Sequence, residues 1–157
     1  MAGHHHTATV AWRRGEGDFA KGRYSRAHSW RFDGGLEVPA SASPSVVPLP
    51  HSSAEAVDPE EAFVAAIASC HMLTFIDIAR RAGFVIDAYE DEAVGTLAKN
   101  ERGARWVSEV VLRPRITFGG RHPTAEELDH LHHEAHDQCF IANSVKSDVR
   151  VEAPATP

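Results

Sequence analysis

Cysteine is scarce in this chain: Cys70 and Cys139 are the only two thiols in 157 residues, too few for a fold stapled by several disulfides. Concentrated positive charge is lacking as well. Sixteen Lys and Arg face 22 Asp and Glu for a net charge of −6, and the cations are scattered, so no basic stripe exists to follow a phosphate backbone and no nucleic acid partner is expected. No apolar run approaches the ~20 residues of a membrane span, and the N-terminus lacks the basic-then-apolar layout of a signal peptide. The expectation is a cytoplasmic protein with no membrane partner.

What is present fits one globular domain over residues 1–157, since 43% apolar content in a chain of this length supports a single core. Residues 1–6, with His4, His5 and His6, are expected to be a flexible terminus and carry no part of the argument. The chain is organised around Asp58 to Leu73. Asp58 can cap a helix, Pro59 suits its first position, and Glu61 can close a capping box onto Asp58. From Ala62 to Ala68 no polar residue appears, and Asp77, Arg80 and Arg81 precede Gly83, which ends the helix. This predicts a buried central helix with no water-facing side from Ala62 to Ala68, a polar face returning only at Asp77, Arg80 and Arg81, and Cys70 inside.

Before the helix, Thr7 to Trp12 and Arg23 to Phe32 alternate as strands, and Asp33-Gly34-Gly35 turns into a short third strand, Leu36 to Val38. Residues 39–58 are rich in Ser, Pro and Ala without periodicity and are expected to form a long loop. After the helix, Phe84 to Leu97 and Arg105 to Phe118 should pair as a hairpin around Lys99 to Gly103, with Trp106, Val110, Leu112, Ile116 and Phe118 on one buried face. Thr124 and Glu127 form a second capping box, opening a helix to about Cys139 whose apolar face holds Leu128, Leu131, Ala135 and Cys139. Ser147 to Glu152 closes as a strand. Hairpin-joined strands with two separate helices argue for an α+β fold.

Three chemistries are open to the two cysteines: small core hydrophobes, a catalytic redox pair, or, with His132 and His136 on the same helix face as Cys139, part of a zinc site. His130 and His133 fall on the outer face of that helix. His71 diverges from Cys70 by about 100° on its helix, so it reads as a packed or hydrogen-bonded histidine and not as a base.

Asp58-Pro59-Glu60-Glu61 leading to Ser69-Cys70-His71, together with Gln138-Cys139-Phe140-Ile141-Ala142-Asn143-Ser144-Val145, resembles the OsmC/Ohr family of thiol peroxidases over nearly the whole chain. The resemblance implies an OsmC-like α+β fold, with sheets wrapped around two helices in an intertwined homodimer. It implies reduction of organic hydroperoxides through a Cys70 sulfenic acid and a Cys70–Cys139 disulfide, restored by a dithiol reductant such as a lipoyl protein, with no metal or flavin cofactor. It further implies an arginine that lowers the pKa of Cys70, for which Arg26 is the best match and Arg23 and Arg31 are fallbacks, held by the carboxylate of Glu60. The apolar helix around Cys70, with Phe63, Met72 and Phe75, would suit a hydrophobic substrate tail. The alternative is a non-catalytic OsmC-like protein that binds a small ligand or a metal.

Glu60 and Cys70 lie ten residues apart on one helix, about 15 Å of rise. If the glutamate serves the same site as Cys70, an unbroken helix requires a second chain to supply it, so the expected site is completed across a two-fold interface.

Overall fold

The computed structural model describes residues 3–152. The expected N-terminal tail is therefore described from Gly3 onward; residues 1 and 2, and residues 153–157 at the other end, lie outside the described residues. The chain divides into two compact units, residues 1–62 and 63–157.

In the first unit, β1 (Ala8–Ala11), β4 (His28–Phe32) and β5 (Glu37–Ala40) form an antiparallel sheet in the order β1-β4-β5, with Trp30 opposite both Val10 and Val38. A two-residue ribbon, β2 (Gly17–Asp18) with β3 (Arg23–Tyr24), precedes β4 and was not foreseen from the sequence. Gly17 has φ 120°, and a Cβ there would sit 2.2 Å from the Arg23 carbonyl oxygen, so the ribbon needs glycine at this point. The strand expected over Arg23 to Phe32 is interrupted at Ser25–Ala27, where the backbone turns to local and loop partners. There the Arg26 N–H donates to the His51 carbonyl and the Ala27 N–H to Ser25 Oγ.

Between β5 and the first helix the chain forms turns without helix or strand, tied to the sheet end by Ser41 N–H to the Val57 carbonyl and Val57 N–H to the Pro39 carbonyl. Asp58 then caps α1 (Pro59–Arg81). Its Oδ1 accepts from the Glu61 N–H at 2.8 Å, while Glu61 Oε2 accepts from the Asp58 N–H at 3.1 Å. The capping box read from the sequence is thus formed.

In the second unit α1 does not bury every face. Ile67, His71, Phe75, Ile78 and Ala79 are buried, whereas Ala65, Ala66, Ser69 and Leu73 are exposed. The buried positions follow the three- and four-residue spacing of a single stripe. The helix is also long and apolar enough, by length and composition alone, to cross a membrane; this corrects the expectation that no run approaches span length. Its alanines and its Val, Ile, Leu, Met and Phe keep the hydropathy high, with no charge between Glu61 and Asp77. The buried stripe is that of a core helix.

The hairpin after α1 forms, but each of its long strands is split. β6 (Ile86–Asp91) pairs with β9 (Pro114–Phe118), and β7 (Val94–Lys99) pairs with β8 (Arg105–Leu112). The break falls where Pro114 has no N–H to donate and where Asp91 Oδ1 takes the Arg113 N–H at 2.7 Å. Trp106 is exposed, not buried as alternation predicts. The register shifts between Thr96 and Leu97, leaving Ser108 as an extra residue on β8. Val107 therefore faces inward below the bulge and Val110 and Leu112 above it.

The second capping box also forms, with Thr124 and Glu127 exchanging hydrogen bonds at the start of α2 (Ala125–Gln138). β10 (Asp148–Val151) closes the order β10-β8-β7 and runs parallel to β8. Two apolar clusters result. Ile67 packs with Val110, Leu112 and Val149 under one sheet, and Phe75, Ile78, Ala79 and Phe84 pack with Leu131 and Ala135 of α2.

Candidate functional site

The second unit brings the two cysteines together. Cys70 lies on α1, half-buried, and Cys139 is the C-cap residue of α2, with none of its surface exposed. Cys139 therefore sits one position past the helix face expected of it. Burial pushes its thiol above the usual range; the Ala142 N–H pulls it down; the neighbouring Cys70 side chain raises it again. The two thiols are thus close enough to influence each other's proton, and both are in the free form.

The turn after Cys139 is shaped around its sulfur. The Ala142 N–H donates to Sγ at 3.4 Å, and the Ile141 N–H also lowers the thiol pKa. A 3-10 turn over Ala142–Ser144 follows, held by the Asn143 side-chain amide, which donates to the carbonyls of Asp137 and Cys139, each at 2.9 Å. Ser144 Oγ donates to the Phe140 carbonyl at 2.7 Å. The sequence offered one signal for this, an amide side chain four residues after the cysteine, and its role went unread. Phe140 and Gln138, the neighbours of Cys139 in sequence, line a shallow groove of about 570 Å³ with Leu73 and Thr74 of α1.

The histidines divide as expected. His130 and His133 are exposed, next to Glu134 and Asp137, and His132 is buried. His71 also is buried, and its Nε2 lies 3.1 Å from His132 Nδ1, with the two rings 12° from parallel. Burial holds both imidazoles down to about 4, with His132 and His136 adding to the effect on His71. Phe75 stacks on His132 at 4.4 Å and is fully buried, so it belongs to the core and not to a substrate surface. Among the described residues no group of three or more His, Cys, Asp or Glu is arranged to hold a metal ion.

Arg26 and Glu60 lie in the first unit, both half-buried. Arg26 Nη1 donates to the Gly22 carbonyl at 2.8 Å and to that of Tyr24, and the guanidinium lies over the Tyr24 ring, 3.7 Å from its centroid. No ion pair joins Arg26 to Glu60 or to any other carboxylate among the described residues, so its positive charge is not neutralised. The same guanidinium, with His28, edges an apolar cavity of about 460 Å³ lined by Val10, Trp12, Phe19 and Tyr24. The fallback residues Arg23 and Arg31 are exposed strand residues.

A family model described as OsmC-like protein matches residues 51–153. The structure of an OsmC-like protein of unknown function from Vibrio cholerae is 50% identical, with TM-score 0.93, covering 96% of this chain and 99% of that one. An organic hydroperoxide resistance protein OsmC from Legionella pneumophila shares the fold at 18% identity, covering 99% of this chain and 100% of that one with TM-score 0.73. The organic hydroperoxide resistance protein OhrB of Bacillus subtilis does so at 23% identity, covering 94% and 98% with TM-score 0.64. No curated protein matches the sequence.

Proposed function

Because the chain belongs to the OsmC-like family, we propose that it is a thiol-dependent peroxidase that reduces organic hydroperoxides to alcohols. The observation that carries this reading is the pairing of a half-buried Cys70 with a fully buried Cys139. A peroxidatic thiol must be reached by substrate, and a resolving thiol must be reached only by its partner.

In the proposed cycle the Cys70 thiolate attacks one peroxide oxygen. The O–O bond breaks, Cys70 becomes a sulfenic acid, and the alkoxide leaves as alcohol after taking up a proton. The Cys139 thiolate then attacks Cys70 Sγ, hydroxide departs as water, and a disulfide forms. An external dithiol reduces it by two electrons and becomes a disulfide itself. Arg26 is proposed to favour the thiolate of Cys70, a role supported by its unpaired charge. The apolar cavity beside it suits a hydrophobic substrate tail. Glu60 is proposed to act in the same site from a second copy of the chain, a dimer supported by the exposed apolar side chains of Val10 and Leu36 in the first unit and Leu73 and Phe140 in the second.

Cumene hydroperoxide added to reduced protein should remove two titratable thiols per chain and support turnover with a dithiol. Cys70→Ser should abolish this. Cys139→Ser should permit the first oxidation, then stall or over-oxidise. Equal residual turnover in the two variants would overturn the roles, and a wild-type chain that keeps both thiols under peroxide would point to a non-catalytic ligand-binding member of the family.

A further inference from the structure

We infer that Asn143 is a positioning residue for the disulfide step: it locks the turn after α2 so that backbone N–H groups face Cys139 Sγ and stabilise the thiolate that attacks, or leaves, Cys70. This rests on the proposed dithiol chemistry.

The need for such a device follows from where Cys139 sits. Its surface is fully covered, and a buried thiol resists losing its proton. Among the described residues no Lys, Arg or His makes a hydrogen bond or ion pair to either sulfur; Cys139 Sγ accepts from the main chain, the Ala142 N–H at 3.4 Å, and the Ile141 N–H also favours its thiolate. The Ala142 N–H reaches back to this sulfur only if the backbone from Cys139 to Ala142 bends tightly. That bend leaves carbonyls pointing out of helical register, and the Asn143 amide takes two of them, Asp137 O and Cys139 O, at 2.9 Å each. Its own main-chain N–H donates to Cys139 O at 3.1 Å, so the Cys139 carbonyl is fixed twice. The clamp thus ties the last turn of α2 to the 3-10 turn across the cysteine.

The chemistry depends on this in both directions. In resolution, Cys139 gives up its proton, its thiolate bonds to Cys70 Sγ, and the sulfenic oxygen departs as water after gaining a proton. In reduction, a thiolate of the external dithiol attacks the less covered Cys70 Sγ, the S–S bond breaks, and Cys139 departs as thiolate before taking up a proton. The dithiol's second sulfur then displaces Cys70 and closes its own disulfide. A lower leaving-thiol pKa speeds the departure. Peroxide attack on Cys70 uses neither the clamp nor the turn.

The test is stopped-flow oxidation of full-length wild type, Asn143→Ala and Asn143→Asp, resolving sulfenic acid formation from disulfide formation across a pH series. Ala has no amide, and Asp offers oxygens where donors are required. In both variants sulfenic acid formation should stay within about twofold of wild type. Disulfide formation should slow roughly tenfold, the scale of one weakened hydrogen bond to a charged acceptor, and its pH midpoint should move upward. Over-oxidation at high peroxide should rise in parallel. Ser144→Ala, which removes a hydrogen bond from the same turn without touching the clamp, should leave the midpoint in place. An Asn143→Ala protein with an unshifted midpoint overturns the inference, as does an equal shift in Ser144→Ala, which would make the effect general turn loosening. If wild type forms no disulfide at all, the dithiol reading itself has failed, an outcome distinct from both.

Discussion

Lowering the pH from 7.5 to 5 should destabilise this protein by about 4 kcal/mol through His71 and His132 alone. Each imidazole falls from 6.5 to about 4 in the fold because burial disfavours its charged form. Below pH 6.5 the unfolded chain takes up protons that the folded chain refuses, so stability present at neutral pH is lost as pH falls through the unfolded value, and the loss saturates near pH 4. At pH 5 the linkage relation gives about 2 kcal/mol per ring. The rings titrate as a neighbouring pair. One N–H spans the 3.1 Å between them, which leaves His71 Nδ1 and His132 Nε2 buried with no partner. One of those atoms already carries the accepting ring's own N–H, and the other, bare, has no protein acceptor to receive an added proton. A first protonation would make a second harder, so the folded pair stays neutral at pH 5.

Other groups do not mimic the effect in this window. Hydrogen bonds from Arg80, Arg115 and the Thr124 backbone lower the carboxyls of Asp77, Glu92 and Glu127, so their contribution is lost only as pH falls through the carboxylate range. Burial raises Asp91, which has the opposite sign and would soften the decline from below. The measurement is urea unfolding followed by tryptophan fluorescence at pH 5 to 7.5, comparing wild type with His71→Leu/His132→Phe. The absolute stability of the double variant depends on repacking, so the comparison is between slopes. Wild type should lose about 4 kcal/mol over the range, a large share of the 5–15 kcal/mol typical of a domain, and the variant less than about 1 kcal/mol. Parallel slopes would refute the assignment of proton uptake to this pair.

Gly95→Ala should cost about 1–3 kcal/mol by overpacking, because a Cβ there would lie 2.5 Å from Val64 Cγ2 and 3.4 Å from Val107 Cγ1, and a helical valine has one strongly preferred rotamer; an unchanged urea midpoint would contradict it. For the proposed shared site, mixing Cys70→Ser with Glu60→Ala protein under subunit exchange should restore turnover, since one site of the heterodimer then has both residues; no recovery would place the glutamate's action within its own chain.

Local chemistry was legible in the sequence, and long-range register was not. Both capping boxes involve residues three apart, and side-chain identity alone determines them. The hairpin was legible from alternation, but its break depends on Asp91 reaching Arg113 across the strands, 22 residues away. Pro114 was the one local hint of it. The bulge at Ser108 has no compositional mark, so parity misassigned Trp106 while placing Val110 and Leu112 correctly. At the site, composition left three chemistries open for Cys70 and Cys139, and only the motif resemblance favoured a pair. The structure brings the two thiols together. His71 and His132 were each read as inward or packed, yet their mutual hydrogen bond spans 61 residues. Such a contact cannot be seen from either helix alone.

The largest disagreement, over α1, bears on assembly. Sequence predicts a buried helix with no water-facing side from Ala62 to Ala68, while one chain leaves Ala65, Ala66, Ser69 and Leu73 exposed. An apolar pattern reflects what the sequence must bury in its working state, whereas a single chain shows what that chain can cover. Ala65, Ser69 and Leu73 recur every four residues, so they share one face of the helix, the stretch between the charges of Glu61 and Asp77. Burying Leu73 alone would contribute about 1.5–3 kcal/mol. The small residues beside it would let another helix approach closely. A second copy of α1 meets both conditions, because a two-fold axis sets the same stripe against itself and no new surface has to be complementary. The exposed stripe lies one position from Cys70, so the contact that would cover it would also enclose the thiol's surroundings. In the proposed dimer, covering the helix and completing the peroxidase site are therefore the same event.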